Sequence, residues 1–205
     1  MNSINKTNRY AMKVLIDNGH GAETPGKCSP DGRLREYAYT REIAIRVASK
    51  LQQAGIDAVR IVSEETDVPL AERVDRANRA YAEAGKQAIL VSIHCNAMGS
   101  GAEWMPARGW SVFVGGNASQ KSKQLARTLA QAALSKKVKV RQPSPQLLYW
   151  TADLYICRKT NCPAVLVENF FQDNREDVDF LLSEAGKQCV TDITVEGIIN
   201  YLKAI

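Results

Sequence analysis

Only two histidines occur in the 205 residues, and both close an apolar run: His20 in "VLIDNGHG" and His94 in "AILVSIH". In open α/β sheets, ligands bind just beyond the carboxyl ends of the strands, so two imidazoles in that position point to a binding edge. Imidazole is a good ligand for a divalent transition metal, but two ligands do not hold a catalytic one. A third must come from a carboxylate or thiolate, and one position must stay open for water. Glu23, Cys28, Asp31, Glu36 and Cys95 are the nearby candidates. Cys95 is poorly placed if His94 is still in a strand, because successive side chains there point to opposite faces. Glu36 follows the loop "GAETPGKCSPDGRLR" at the head of an amphipathic stretch, and a returning loop could bring it to His20. Alternatively, it is a helix N-terminal glutamate complementing the dipole. Glu168 ends the run "PAVLVE", where a carboxylate either faces solvent or is buried beside a charge or proton partner.

Elements that could position these residues alternate along the chain. Strand-like runs are "MKVLID", "DAVRIVS", "QAILVSIH", "GWSVFVG" and "PAVLVEN". Between them, helical periodicity predicts helices from Glu36 to Ala54, from about Leu70 to Ala84, from Ser119 to Leu134 and from about Ser183 to Leu202. Loops are expected around Glu23 to Arg33, Ala97 to Arg108 and Arg141 to Thr151. The predicted fold is α/β, a single domain with a central mostly parallel or mixed sheet and helices on both faces. No internal repeat or low-complexity linker divides the sequence.

Several function classes are excluded or weakened. A 45% hydrophobic chain of this length can bury a core without staples. Nothing approaches the roughly 18 consecutive apolar residues of a membrane span, so no membrane insertion is expected. The start "MNSINKTNRYAMKVLID" lacks an apolar run of about 7–15 residues, so no signal peptide is visible. The five cysteines are odd in number and show no CxxC spacing. Cys157 and Cys162 are one conceivable pair, and at least one thiol must be free or shared between chains. The net charge of +5 tolerates polyanionic surroundings. Apart from "KKVKVR", Lys136 to Arg141, its cations are dispersed and no nucleic-acid motif is present, so no nucleic-acid partner is expected.

Four separated stretches, "VLIDNGHG" followed by "LREYAYT", then "LAERVDRANRAYAEAGKQAILVSIHCNA" and "LYICRKTNCPAVLVENFFQDN", resemble the zinc-dependent N-acetylmuramoyl-L-alanine amidases of the amidase-3 type. The resemblance runs from about Lys13 to the C-terminal helix, implying a catalytic domain over residues 13–205 behind an N-terminal extension of residues 1–12. It implies His20, Glu36 and His94 as ligands of one catalytic zinc, and Glu168 as general base and acid. The implied substrate is peptidoglycan, cut between N-acetylmuramic acid and the L-alanine of the stem peptide. The glycines flanking His20 would let the backbone turn sharply and come near the metal without a clashing Cβ. Asp17 and Asn96 are candidates for a shell behind the ligands, and the loop "MGSGAEWMPARG", with Trp104 and the following Trp110, for a substrate groove. Cys95-Asn96-Ala97 replaces the family's usual Ala-Asn-Ala, and Glu168-Asn169-Phe170 its Glu-Leu/Gly-Phe, without removing a ligand. Action on the cell wall is expected, by a phage-type lysin freed at lysis or an exported enzyme whose leader lies outside this sequence. No partner protein is inferable.

Overall fold

The computed structural model describes residues 11–205. Over them the order is β1 (Lys13–Asn18), α1 (Glu36–Gln53), β2 (Ala58–Arg60), α2 (Leu70–Glu83), β3 (Ala88–Asn96), β4 (Ser111–Gly115), α3 (Gln120–Ser135), β5 (Trp150–Ala152), α4 (Tyr155–Lys159), β6 (Ala164–Phe171), α5 (Arg175–Leu182) and α6 (Glu184–Lys203). The strands form one sheet in the order β2-β1-β3-β6-β4-β5. All neighbouring pairs are parallel except β4 with β6, which is antiparallel, so the sheet is mixed. After β1 the chain builds β2 on one side and then crosses to β3 on the other. This reversal leaves a crevice at the carboxyl ends of β1 and β3.

Period-2 alternation sends each strand's apolar residues to two separate cores. Val14, Ile16, Val91, Ile93, Val165 and Val167 pack with Ile43 and Val47 of α1, Leu125 and Leu129 of α3, and Ile193 and Ile198 of α6. Leu15, Leu90 and Leu166 point the other way, onto Val74 and Ala77 of α2 and Ile156 and Cys157 of α4. The sheet is therefore covered on both faces, as its near-continuous hydrophobic strands require. Helices α3 and α6 cross closely at Gly197, where a Cβ would stand 2.7 Å from the Leu129 Cα.

Five strands and four helices fall where the apolar patterns predict them. Strand β5 lies at the end of a stretch expected to be a loop, and α4 and α5 were not expected. The first two are only 3 and 5 residues long, too short to display a period. Helix α5 carries a local signal instead: the Asn174 side chain caps it by accepting from the Asp177 N–H. All five cysteines are free thiols, so Cys157 and Cys162 are not bridged. Among the described residues no helix is long and apolar enough to cross a membrane. Residues 1–10 of the expected N-terminal extension lie outside the described residues.

Candidate metal centre and active site

The centre is assembled at the crevice edge from β1, α1, β3 and β6. Strand pairing continues one residue past β1, where the Gly19 N–H donates to the Ile93 carbonyl at 3.0 Å. The left-handed turn that follows falls on His20 itself, at φ 61°. Of the two needs expected of the flanking glycines, the turn is not theirs, but the close approach without a Cβ is. A Cβ on Gly19 would lie 2.2 Å from the His94 ring, and one on Gly21 would lie 2.0 Å from the Asp67 backbone nitrogen. His20 is therefore set between two close approaches that admit no side chain.

Glu36 opens α1, but its carboxylate turns inward and is fully buried, which rules out the simple dipole-complementing role. Oε1 accepts from the Cys95 N–H at 2.9 Å and stands 3.3 Å from His94 Nδ1 and 3.5 Å from His20 Nε2. The other oxygen, Oε2, is buried without a hydrogen-bond partner among the described residues. The two imidazoles meet edge to face, with ring centroids 5.0 Å apart. One ligand atom from each of His20, Glu36 and His94 lies within 4.8 Å of the others. A buried carboxylate with one oxygen beside two imidazole nitrogens and the other unpartnered suits a divalent metal of zinc's ligand preference.

Glu168 lies directly beside His94 in the parallel β3–β6 register, and opposite Ser111 of β4. Its Oε2 is also buried and, among the described residues, unpartnered. Burial, reinforced by the nearby Glu36 charge, pushes its carboxyl up to about 7, against the opposing pull of His94 and Lys27. Burial likewise drives His20 down to about 4, although Glu36 favours its protonation. Burial by itself would raise Glu36, but His94 and His20 outweigh it and hold the carboxyl below its ordinary value. His94 behaves as the partner of that pair: burial disfavours its charge, yet Glu36 lifts it above its ordinary value.

The remaining sequence candidates lie elsewhere. The Cys95 side chain is buried in the opposite core, as strand alternation requires. Glu23 accepts from the Asp67 N–H, and Asp31 engages Ser29 and Arg33. Cys28 lies in a bridge to Arg35. Asn96 shapes the next loop: its side chain accepts from the Ala97 N–H, and its carbonyl from the Gln172 N–H. Trp104 is half-buried under the Arg175 guanidinium, 4.4 Å from its ring centroid. Trp110 does not line a groove, because the start of β4 turns it into the core, where it is wholly buried. Its indole N–H donates to Asn169 Oδ1, and Asn169 in turn donates to the His94 carbonyl, so Trp110 braces β3 from behind.

Asp17 touches no ligand side chain. One carboxylate oxygen takes a 2.9 Å bond from Arg73 Nη1 and the other a 2.5 Å bond from the Ser92 hydroxyl. Sequence reasoning missed Arg73, although it shares the buried stripe of α2 with Val74 and Ala77, an unusual place for a charge. It also missed Lys27, whose charge acts on both His20 and Glu168.

Comparison with known proteins identifies the family. The profile of the amidase-3 family, described as N-acetylmuramoyl-L-alanine amidase, matches residues 14–200. The endolysin of Bacillus phage SPP1 is 30% identical over 92% of this chain, and the N-acetylmuramoyl-L-alanine amidase LytC of Bacillus subtilis is 28% identical over 93%. The chain spans 65% of the first and 35% of the second. Among solved structures, an N-acetylmuramoyl-L-alanine amidase from Clostridium difficile 630 superposes with a TM-score of 0.82 at 28% identity, covering 95% of this chain and 98% of that one. The catalytic domain of the amidase CwlV from Bacillus (Paenibacillus) polymyxa var. colistinus gives 0.77 at 26% identity, with 95% and 99% covered. The match over residues 14–200 and the shared fold place this chain in the amidase-3 family of N-acetylmuramoyl-L-alanine amidases.

Proposed function

We propose that the chain hydrolyses the amide joining the lactyl group of N-acetylmuramic acid to the L-alanine of the peptidoglycan stem peptide, using zinc held by His20, Glu36 and His94. Residues 13–205 form the catalytic domain, behind an extension of residues 1–12. The observation that carries this reading is the Glu168 carboxyl, raised to about 7 with its Oε2 unpartnered among the described residues, beside a trio of candidate ligand atoms within 4.8 Å of one another.

When bound, zinc supplies Lewis-acid polarisation of the scissile carbonyl and acidifies water. The chain's own residues perform the rest. Glu168, poised near neutrality, takes a proton from the attacking water and returns it to the departing alanine nitrogen as the C–N bond breaks. A lactyl carboxylate and a free stem-peptide amine result. Glu36 keeps its charge through its two imidazole neighbours, which leaves Glu168 as the carboxyl that moves protons. The substrate places the reaction on the cell wall. The likeness to a phage endolysin and to the amidase LytC supports this, and the surplus of five positive charges suits a polyanionic wall.

The test is product analysis. Purified sacculi digested with the protein should release stem peptides that begin with a free L-alanine amine and leave the glycan strands intact. Mass spectrometry showing cut glycan or cut peptide crosslinks in their place rejects the assignment.

A further inference from the structure

We propose that Arg73 is the positioning residue of the metal centre, gripping the backbone on both sides of His20 so that the imidazole is aimed before any metal arrives. The proposal rests on the reading of His20, Glu36 and His94 as metal ligands. Arg73 projects from α2 with its side chain 2% exposed. A guanidinium carries five N–H donors in a rigid fork, and here each nitrogen is engaged. Nε donates to the Val68 carbonyl at 2.7 Å. Nη1 donates to Asp17 Oδ1 at 2.9 Å and to the Asn18 carbonyl at 2.6 Å. Nη2 donates to the His20 carbonyl at 3.2 Å and to Asp67 Oδ1 at 3.1 Å. The carbonyls of Asn18 and His20 thus converge on one planar cation, and between them runs the backbone that carries His20 in the left-handed region.

Asp67 fixes the far side of the same loop. Its second oxygen accepts from the Thr24 hydroxyl at 2.5 Å, and Thr24 accepts from the Gly21 N–H at 2.9 Å. The close approach of Gly21 to the Thr66–Asp67 backbone closes this ring of contacts. A left-handed non-glycine residue persists only where its surroundings over-determine it, and the Arg73 fork and the Asp67 anchor do that for His20. Asp17 balances the buried charge and is itself held by Ser92, whose hydroxyl lies two residues before His94 on β3. Ties from one arginine therefore reach the His20 turn and the strand that bears His94.

Arg76 provides the contrast. It lies one turn along the same helix and also ties α2 to neighbouring backbone, through the Ile61 carbonyl, Glu64 and Glu72, but it makes no contact with the His20 loop. A structural arginine and a positioning arginine can thus be compared on one helix.

The experiment measures zinc affinity by competition with a chromogenic chelator, alongside thermal melts, for the wild type, Arg73→Lys, Arg76→Met and His20→Ala. Arg73→Lys keeps the charge but cannot span both carbonyls, and should bind zinc about 10- to 100-fold more weakly, the usual cost of losing a group that orients a ligand. Arg76→Met should lower the melting temperature yet keep zinc affinity within about twofold of wild type. Because the chain has two histidines, the metal-free imidazole ¹H–¹⁵N spectrum reports each ring, and Arg73→Lys should shift or broaden one resonance, the one absent from His20→Ala. If Arg73→Lys does not fold, Asp67→Asn, which weakens the Nη2 end of the fork and the Thr24 anchor of the same loop while leaving the Asn18 and His20 carbonyl bonds in place, carries the same comparison with a smaller loss. A folded Arg73→Lys with wild-type zinc affinity and an unmoved His20 resonance overturns the proposal. A wild type that takes up no zinc overturns the metal reading beneath it, and the two failures are distinct.

Discussion

His94 and Glu168 are register partners on adjacent parallel strands, and their side chains leave the same face of the sheet beyond Leu90 and Leu166. Neighbouring strands are about 4.8 Å apart, so the pairing fixes the proposed proton-transfer group one strand from a proposed ligand without any loop being involved. The two roles are thereby separable. Glu168→Gln should keep zinc content at the wild-type level while turnover falls by at least the roughly 10²- to 10⁴-fold that general acid–base catalysis supplies. Wild-type turnover in a folded, zinc-loaded Glu168→Gln protein would remove Glu168 from the mechanism.

The same carboxylate should cost the metal-free protein stability in a defined pH window. Its ordinary value is 4.5 and its folded value about 7. Below about pH 4.5 it is protonated in both states and contributes nothing. Between 4.5 and 7 the folded protein retains a proton that the unfolded chain releases, so stability falls as pH rises, and above 7 the full penalty is present. Glutamine carries no such proton. Metal-free Glu168→Gln should therefore match the wild type near pH 4 and exceed it at pH 8, by at most about 3 kcal/mol. Melting curves at the two pH values check this, and equal stabilities at pH 8 would show that the carboxylate is not strained by burial. His20 works in the opposite sense. Its folded value of about 4 lies below the ordinary 6.5, so its contribution is intact above 6.5 and is lost as pH falls toward 4. The Glu168→Gln protein should accordingly gain stability from pH 4 to 6.5 and lose some again above 6.5, where the contribution of the raised His94 fades.

The metal ligands should behave unlike Glu168. His20→Ala or His94→Ala leaves two ligands, which rarely retain zinc, so metal and activity should vanish together. Chelation of the wild type should abolish peptidoglycan lysis until zinc is restored. Full activity in chelator, with no zinc found by elemental analysis, would reject the ligand set.

What could be read from the sequence followed the range of the signal. Strands β1, β3 and β6 announce themselves as apolar runs because both faces are buried, and the polar residues at their ends, His20, His94 and Glu168, stand out against them. The inward turn of Glu36 was not readable from a helix start, since the same residue type serves the dipole equally well; the buried Cys95 N–H and the two imidazoles decide it. Trp110 was misplaced because β4 begins beside it, and a one-residue difference in where pairing starts decides which side of the sheet a side chain faces. Arg73 could have been found as a charge on a helix's apolar stripe, but its acceptors are mostly backbone carbonyls, which carry no sequence mark.

The glycines beside His20 yield the last prediction, because they are constrained by different objects. Neither has a positive φ, so alanine is conformationally acceptable at both positions and only the added methyl matters. At position 19 the methyl would stand 2.2 to 2.7 Å from three atoms of the His94 ring. A side chain can rotate away, so Gly19→Ala should fold with a modest loss of melting temperature but displace a ligand, lowering zinc affinity and activity together. At position 21 the methyl would meet the Thr66–Asp67 backbone at 2.0 to 2.4 Å, which no rotamer change relieves. Gly21→Ala should thus cost stability first, by an amount at the upper end of single substitutions, about 3 kcal/mol or more. Thermal melts paired with zinc titration separate the two. If Gly19→Ala retains wild-type zinc affinity, the packing of Gly19 against His94 does not govern the ligand's position, and the sequence of glycine, histidine, glycine must be explained on other grounds.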